Sequence, residues 1–337
     1  MQICYEHAES LSRSLSRPLL LYVALIGQWR YSLSTDKLTT TMQVAKRVYS
    51  LAEEQNDSAL MLGAYRALAV TLCYLGDFET ARLNAIRGVE IWRSESVQSA
   101  VEEVMAPAVV CLGLEALSEW YLGEIASCHT NVAEAISLAK ELNDMTALAI
   151  ALYLGGILAR FERNPTEVER CALNMIELST RVNLPFWLAM VTVYRGWARS
   201  ASGDTAEGIA WIVQGIEDYR ATGSIIDLPY FLAIKAESLY LADRTLEALE
   251  AISEAEALAE RVEIACWYSE LHRLRGMFLA TIDADEAKIE ALFHNAIKIA
   301  KEQKSISLEK RAKRAYAEYR CHKASGSGER GFRLPLW

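Results

Sequence analysis

Charged side chains recur at matching positions along this chain, where arginines held on rigid helices could capture a carboxylate or a phosphate. Four residues before successive predicted turns lie Glu119, Arg160 and Arg199, where an earlier copy has the apolar Leu72. A guanidinium suits this chemistry because its planar fork can make two parallel hydrogen bonds to one oxyanion. The candidate binding residues are Glu115, Glu119, Arg160, Arg195, Arg199, Lys235, Arg273 and Arg275.

The same row also has a structural interpretation, which the sequence leaves open. Glu119 and Arg160 could form an ion pair between neighbouring repeats, since packed helices lie about 10 Å apart. Nearby aromatic residues carry the same ambiguity, because they could anchor a ligand or simply fill the space between helices. These residues are Trp197, Trp211, Tyr230, Trp267 and Tyr268.

Other motifs that could support catalysis or cofactor binding are in the wrong context. Residues 326–331 match G-x-G-x-x-G, but a helix is predicted before them and the sequence ends soon after, whereas a phosphate cradle needs a strand and then a helix. Cys128 and His129 are adjacent, as are Cys321 and His322, and neighbours on a helix project about 100° apart. We predict no catalytic residue, no metal site and no cofactor.

The elements that position the charged row are indicated by a turn motif, clearest at residues 75–81 (LGDFETA), that returns about every 40 residues. Apolar residues at helical spacing lie on both sides of each turn, which predicts stacked helical hairpins. One interval is longer, and it predicts a polar insertion near residues 93–106. The aligned turn positions are Thr35, Gly76, Gly123, Asn164, Gly203, Ala242 and Asp283.

Composition favours a single helical repeat domain over residues 1–322, followed by a flexible tail at 323–337. Of the 337 residues, 52% are hydrophobic and only six are proline, which suits a nearly all-helical protein. Seven scattered cysteines without a CxxC pair indicate thiols in a reducing cytoplasm. The net charge of −9 disfavours nucleic acid as a partner, and no apolar run is long enough for a membrane span.

The hairpin pattern resembles the tetratricopeptide repeat (TPR), with a lengthened period. This resemblance implies an all-α, right-handed α-solenoid of about seven TPR-like hairpins, or sixteen helices, whose first helices line a concave groove. In the second half, whole phrases resemble the C-terminal repeat region of bacterial signalling proteins that carry an adenylate/guanylate cyclase or regulator domain and a predicted AAA-like ATPase. The phrases include RGWA at residues 195–198, YRATG at 219–223 and ELHRLRG at 270–276.

This resemblance implies a sensor or scaffold arm, because the cyclase and nucleotide-binding motifs of that family lie in domains that this sequence does not contain. The expected function is therefore a non-catalytic interaction module that binds a protein or peptide in the groove, with the cyclase or ATPase domains of a parent protein as possible partners. The alternative is a regulatory domain that binds a small anionic ligand or a short peptide in the same groove.

Overall fold

Sixteen α-helices make up the part of the chain described by the computed structural model, which covers residues 2–94, 106–181 and 184–324. The expected all-α solenoid of TPR-like hairpins is confirmed. The predicted insertion falls mostly on residues 95–105 and the predicted tail mostly on 325–337, both outside these ranges; the last helix continues to Ala324.

The helices alternate between two roles. Even-numbered helices are the first helices of the hairpins, and odd-numbered helices are the second helices. Their bounds are α1 Gln2–Ser14, α2 Pro18–Thr35, α3 Leu38–Gln55, α4 Ser58–Tyr74, α5 Phe78–Ser94, α6 Pro107–Leu122, α7 Ile125–Glu141, α8 Met145–Phe161, α9 Pro165–Arg181, α10 Pro185–Ala201, α11 Thr205–Ala221, α12 Leu228–Leu241, α13 Thr245–Val262, α14 Tyr268–Thr281, α15 Glu286–Glu302 and α16 Ile306–Ala324.

The recurrent turn works as the sequence predicts at Gly76. This residue has φ +79°, its N–H donates to the Cys73 carbonyl, and the next N–H, of Asp77, donates to the Leu72 carbonyl. The pattern is a Schellman motif, which satisfies the last carbonyls of a helix with one residue in the left-handed region. The Asp77 carboxylate then accepts the N–H of Thr80 and caps α5.

Two turns lie one residue away from their predicted positions. The left-handed residue is Arg163 (φ +59°) rather than Asn164, and Asp243 (φ +63°) rather than Ala242. Asn164 has a different task, because its side chain accepts the N–H of Glu167 and caps α9. One residue is about 100° of rotation on a helix, so this correction changes which face of α8 and α12 each side chain occupies.

Two compact units divide the chain. One comprises residues 1–120, 124–154 and 262–264, and the other comprises residues 121–123, 155–261 and 265–337. We call them unit 1 and unit 2. In unit 1, Leu21, Tyr22 and Leu25 of α2 pack with Val48 of α3 and Leu60 of α4 in one apolar cluster. No helix in the described ranges is long and apolar enough to cross a membrane.

The closest helix packing in unit 2 joins α10 to α11 through glycines. A Cβ atom added to Gly208 would lie 2.5 Å from the Gly196 carbonyl oxygen, and one added to Gly215 would lie 2.9 Å from the Ala189 carbonyl oxygen. The two backbones therefore touch directly, which only glycine permits. This contact accounts for the glycines in the phrases at residues 195–198 and 208–210.

Candidate functional site

The predicted binding residues occupy three separate places. Glu115 and Glu119 lie in unit 1, whereas the six cationic candidates lie in unit 2. Among the cations, Arg160 and Arg273 are buried, while Arg195, Lys235 and Arg275 are half-buried and Arg199 is exposed. The structure thus divides the predicted strip into a carboxylate pair, a buried group and an accessible group.

Arg160 belongs to a buried charge cluster on the faces where first helices meet. It pairs with Glu237 of α12, and it also donates a 2.8 Å hydrogen bond from Nη1 to the Tyr230 hydroxyl. Arg163 pairs with the other oxygen of Glu237. Burial opposes ionisation of the Glu237 carboxyl, but Arg160 and Arg163 outweigh it and hold the pKa of Glu237 below its ordinary value.

A second carboxylate completes this cluster. Glu270 of α14 receives two 2.8 Å hydrogen bonds from Arg273, which lies one turn later on the same helix. Arg311 of α16 also donates to Glu270, at 3.3 Å, and to the Phe161 carbonyl at 2.8 Å. Burial opposes the charge on Glu270, yet Arg273 and Arg311 lower its pKa. The buried charge cluster is Arg160, Arg163, Glu237, Glu270, Arg273 and Arg311.

Aromatic rings enclose the guanidinium of Arg160. Its central carbon lies 4.8 Å from the ring centre of Tyr230 and 5.5 Å from the ring of Trp197. Trp267 stacks on Tyr230, with ring centres 4.3 Å apart. Such cation–π contacts are strongest when water is excluded, so the rings stabilise the buried charge while they fix its position. Two of the predicted aromatic anchors therefore lie within this core.

The accessible cations form a regular row. Arg195, Lys235 and Arg275 each lie eight residues before a left-handed turn residue, namely Gly203, Asp243 and Asp283. They therefore share one register on α10, α12 and α14, at an interval of about 40 residues. We call these three residues the cation row.

The cation row lies on the side of the first helices that meets the second helices. Arg195 donates to Glu169 of α9 at 3.1 Å and stacks at 4.3 Å from the centre of the Trp211 ring of α11. Arg275 pairs with Glu256 of α13, and Lys235 interacts electrostatically with Glu247 of the same helix. Side chains of Arg195 and Arg275 remain 34% and 26% exposed, so both can still reach a partner.

Arg199 extends the accessible surface at one end, where it pairs with Asp204 at 3.0 Å and with Glu207 at 2.6 Å. Both carboxylates come from the start of α11. Exposed pairs of this kind contribute little to stability, about 0–1 kcal/mol each, so they can exchange partners at low cost.

The carboxylate pair of unit 1 has partners of its own. Glu119 is buried, accepts a 2.9 Å hydrogen bond from Asn131 and lies 3.6 Å from Arg82. Its ion-pair partner is thus Arg82, whereas Arg160 pairs with Glu237. Burial raises the pKa of both Glu115 and Glu119, and the charge of Glu119 raises that of Glu115 further.

Sequence reasoning missed Arg163, Glu237 and Arg311. One signal was available, because Glu237 is an acidic residue in the middle of an otherwise apolar helix, LPYFLAIKAESLYL. Arg163 was hidden by the one-residue error in the turn. In the described ranges no three His, Cys, Asp or Glu side chains are grouped to hold a metal ion.

Comparison with known proteins gives one sequence relative and one good structural match. No family model matches the sequence. An uncharacterised protein of Rhizobium meliloti (strain 1021) is 26% identical over 212 residues, which span 63% of this chain and 21% of the relative. The chain therefore matches about a fifth of the length of that relative.

Among solved structures, the crystal structure of a Rap protein complexed with competence and sporulation factor matches with a TM-score of 0.66 and 13% identity, covering 85% of this chain and 76% of that one. Bacillus thuringiensis PlcR, in complex with the peptide PapR7 and DNA, matches with a TM-score of 0.36 and 13% identity over 79% of this chain and 73% of that one. A score this low does not establish a shared fold. The Rap match places this chain among TPR-like helical-repeat folds.

Proposed function

We propose that this chain is a non-catalytic module that binds an acidic segment of a protein or peptide through the cation row. The observation that carries the proposal is the repetition of one accessible cation at one register on three consecutive first helices. A stabilising ion pair needs no such periodicity, whereas an extended partner that crosses the helices meets each cation in turn.

The geometry of the row points to the spacing of the partner's charges. Neighbouring first helices lie about 10 Å apart, and an extended chain rises about 3.3 Å per residue. A carboxylate at every third residue therefore keeps pace with Arg195, Lys235 and Arg275. The ring of Trp211 beside Arg195 offers an apolar surface at one end of this path.

Two comparisons support a binding role. The Rap protein with the matching fold was crystallised with competence and sporulation factor bound, so this fold can hold a regulatory factor. The Rhizobium relative is about five times longer than the matched segment, which agrees with a module that works within a larger protein. We further propose that the larger protein is a bacterial multidomain signalling protein, as the phrases in the second half imply.

Charge reversal in the row tests the proposal. We would titrate a nonapeptide with glutamate at every third position into the wild-type chain and into Arg195→Glu, Lys235→Glu and Arg275→Glu by calorimetry at low salt. Each single reversal should weaken binding several-fold, since an exposed pair contributes about 0.2–1 kcal/mol and its reversal adds repulsion. The triple variant should lose binding.

Arg314→Glu is the matched control, because Arg314 is a well-exposed arginine of α16 outside the row. Circular dichroism should show unchanged helicity in every variant. A triple variant that binds the peptide as tightly as wild type contradicts the proposal, and so does a wild-type chain that binds none of a panel of such peptides.

A further inference from the structure

The buried charge cluster holds more positive than negative groups. Oε1 of Glu270 faces three guanidiniums, with Arg273 Nη2 at 2.8 Å, Arg311 Nη1 at 3.3 Å and Arg163 Nη2 at 3.7 Å. Glu237 faces Arg160 and also Arg163. The described cluster thus sets four guanidiniums against two carboxylates in a place largely shielded from water.

This excess has a measurable cost to the folded protein. Burial lowers the pKa of Arg311 to about 10, and the positive charges of Arg163 and Arg273 act in the same direction against the attraction of Glu270. A buried charge that is incompletely compensated destabilises the folded state. An added anion beside Arg311 would therefore be stabilised by the protein and would stabilise it in return.

Buried hydrogen-bond donors without acceptors lie in the same place. They are Arg160 Nε, Trp197 Nε1 and Trp267 Nε1, each on a side chain at least nine-tenths buried and each lacking a partner among the described residues. Buried polar groups are nearly always hydrogen-bonded in folded proteins. All three surround Tyr230, which contacts Arg160 on its hydroxyl and stacks against Trp267. They are donors only, so what they lack is an acceptor.

We infer that the buried charge cluster is a binding site for an oxyanion, a carboxylate or phosphate group, that enters beside Arg163 and Arg311. These are the most exposed cations of the cluster, with 10% and 19% of their side chains accessible. Guanidinium forks match several oxygens of one group, which favours an oxyanion over a halide. The site is separate from the cation row and does not depend on the proposed function.

Anion titration tests this inference. We would add sodium phosphate, and in a second series sodium succinate, to the wild-type chain at pH 7, with sodium chloride at equal ionic strength as the reference. The thermal midpoint should rise and then saturate, because a ligand that binds only the folded state stabilises it by mass action. Tryptophan emission should change over the same concentration range, since Trp197 and Trp267 lie in the cluster. The series that saturates at lower concentration identifies the preferred oxyanion.

Variants of α16 separate the site from general salt effects. Arg311→Gln should abolish the saturable response, while Arg320→Gln, at an arginine of the same helix that is 60% exposed, should keep it. Arg311→Lys retains the charge but loses the fork, and it should weaken binding about tenfold or more. If Arg311→Gln does not fold, the lysine variant decides the question.

A wild-type response no different from that to chloride would overturn the inference, as would an Arg311→Lys variant with unchanged affinity. The triple cation-row variant provides the remaining control, because it should keep the full anion response. Loss of peptide binding together with a retained anion response leaves this site intact. Peptide binding without any anion response would instead leave only the proposed function standing.

Discussion

Arg160 and Glu237, seventy-seven residues apart on α8 and α12, form an ion pair in which both side chains are fully buried. Glu237 also faces Arg163, so removal of its charge leaves two guanidiniums without their carboxylate. The pair therefore ties two first helices of unit 2 together and makes their packing depend on one acidic residue.

Glu237→Gln should destabilise the protein by about 3–5 kcal/mol, the cost of leaving one partner of a buried ion pair uncompensated. Urea unfolding followed by circular dichroism measures the change. Glu254→Gln is the control, since Glu254 pairs with Arg220 on the surface and should change stability by less than about 1 kcal/mol. Equal effects of the two substitutions would contradict the role assigned to the buried pair.

Gly208→Ala should also destabilise, for a steric reason. The new methyl group would lie 2.5 Å from a backbone oxygen and 2.7 Å from a backbone nitrogen of α10, so the helices must move apart at a cost of about 1–3 kcal/mol. Gly156→Ala on α8 makes an informative contrast, because its nearest neighbour would be 3.7 Å away. That substitution should be neutral or stabilise the helix by up to about 1 kcal/mol. The reverse order in thermal unfolding would refute the close contact.

Thiol labelling should distinguish two classes of cysteine. Cys4 and Cys321 are exposed, whereas the other five are buried. Burial raises the pKa of Cys73 to about 12 and that of Cys171 to about 11, so neither forms the reactive thiolate at neutral pH. Iodoacetamide should modify two cysteines in the native protein and all seven after unfolding. Rapid native labelling of Cys73, detected by mass spectrometry, would be inconsistent with its position.

The carboxylate pair of unit 1 predicts an unusual dependence of stability on pH. The folded-state pKa of Glu115 is raised by burial and by Glu119. Protonation therefore favours the folded state below the ordinary glutamate pKa of about 4.3, and this gain is lost as the pH rises through the raised value. Glu115→Gln should thus be more stable than wild type at pH 7, and the difference should shrink below about pH 4.

Thermal melts of both proteins across this range measure the effect. Glu134→Gln is the control, because Glu134 is exposed and paired with Arg93. A Glu115→Gln variant that is less stable than wild type at pH 7 would mean that attraction to Arg82 and Arg93 outweighs the burial of the carboxylate.

How far the sequence could predict this structure is clear from the turns. The motif at Gly76 predicts the hairpin correctly, because glycine is needed at a left-handed residue and an aspartate caps the next helix. At Arg163 the same geometry is held by a non-glycine residue whose side chain joins a buried ion network. Local propensity cannot reveal such a position, since the stabilising contacts come from α12 and α14.

The candidate site shows the same limit. Periodicity predicts the cation row, because Arg195 and Arg275 share a register that depends only on helix geometry. It could not predict that Arg160 and Arg199, placed in one row by the sequence, differ so much in burial. The shift of one residue at Arg163 rotates Arg160 by about 100° relative to Arg199, toward the other first helices.

The central claim, that the cation row binds a partner with matching charge spacing, is tested most directly by comparing two peptides of identical composition. One nonapeptide carries three glutamates at every third position, and the other carries them side by side. Calorimetry with the wild-type chain should show several-fold tighter binding of the spaced peptide, and the triple variant of Arg195, Lys235 and Arg275 should lose this preference. Equal affinity of the wild-type chain for both peptides would contradict the account.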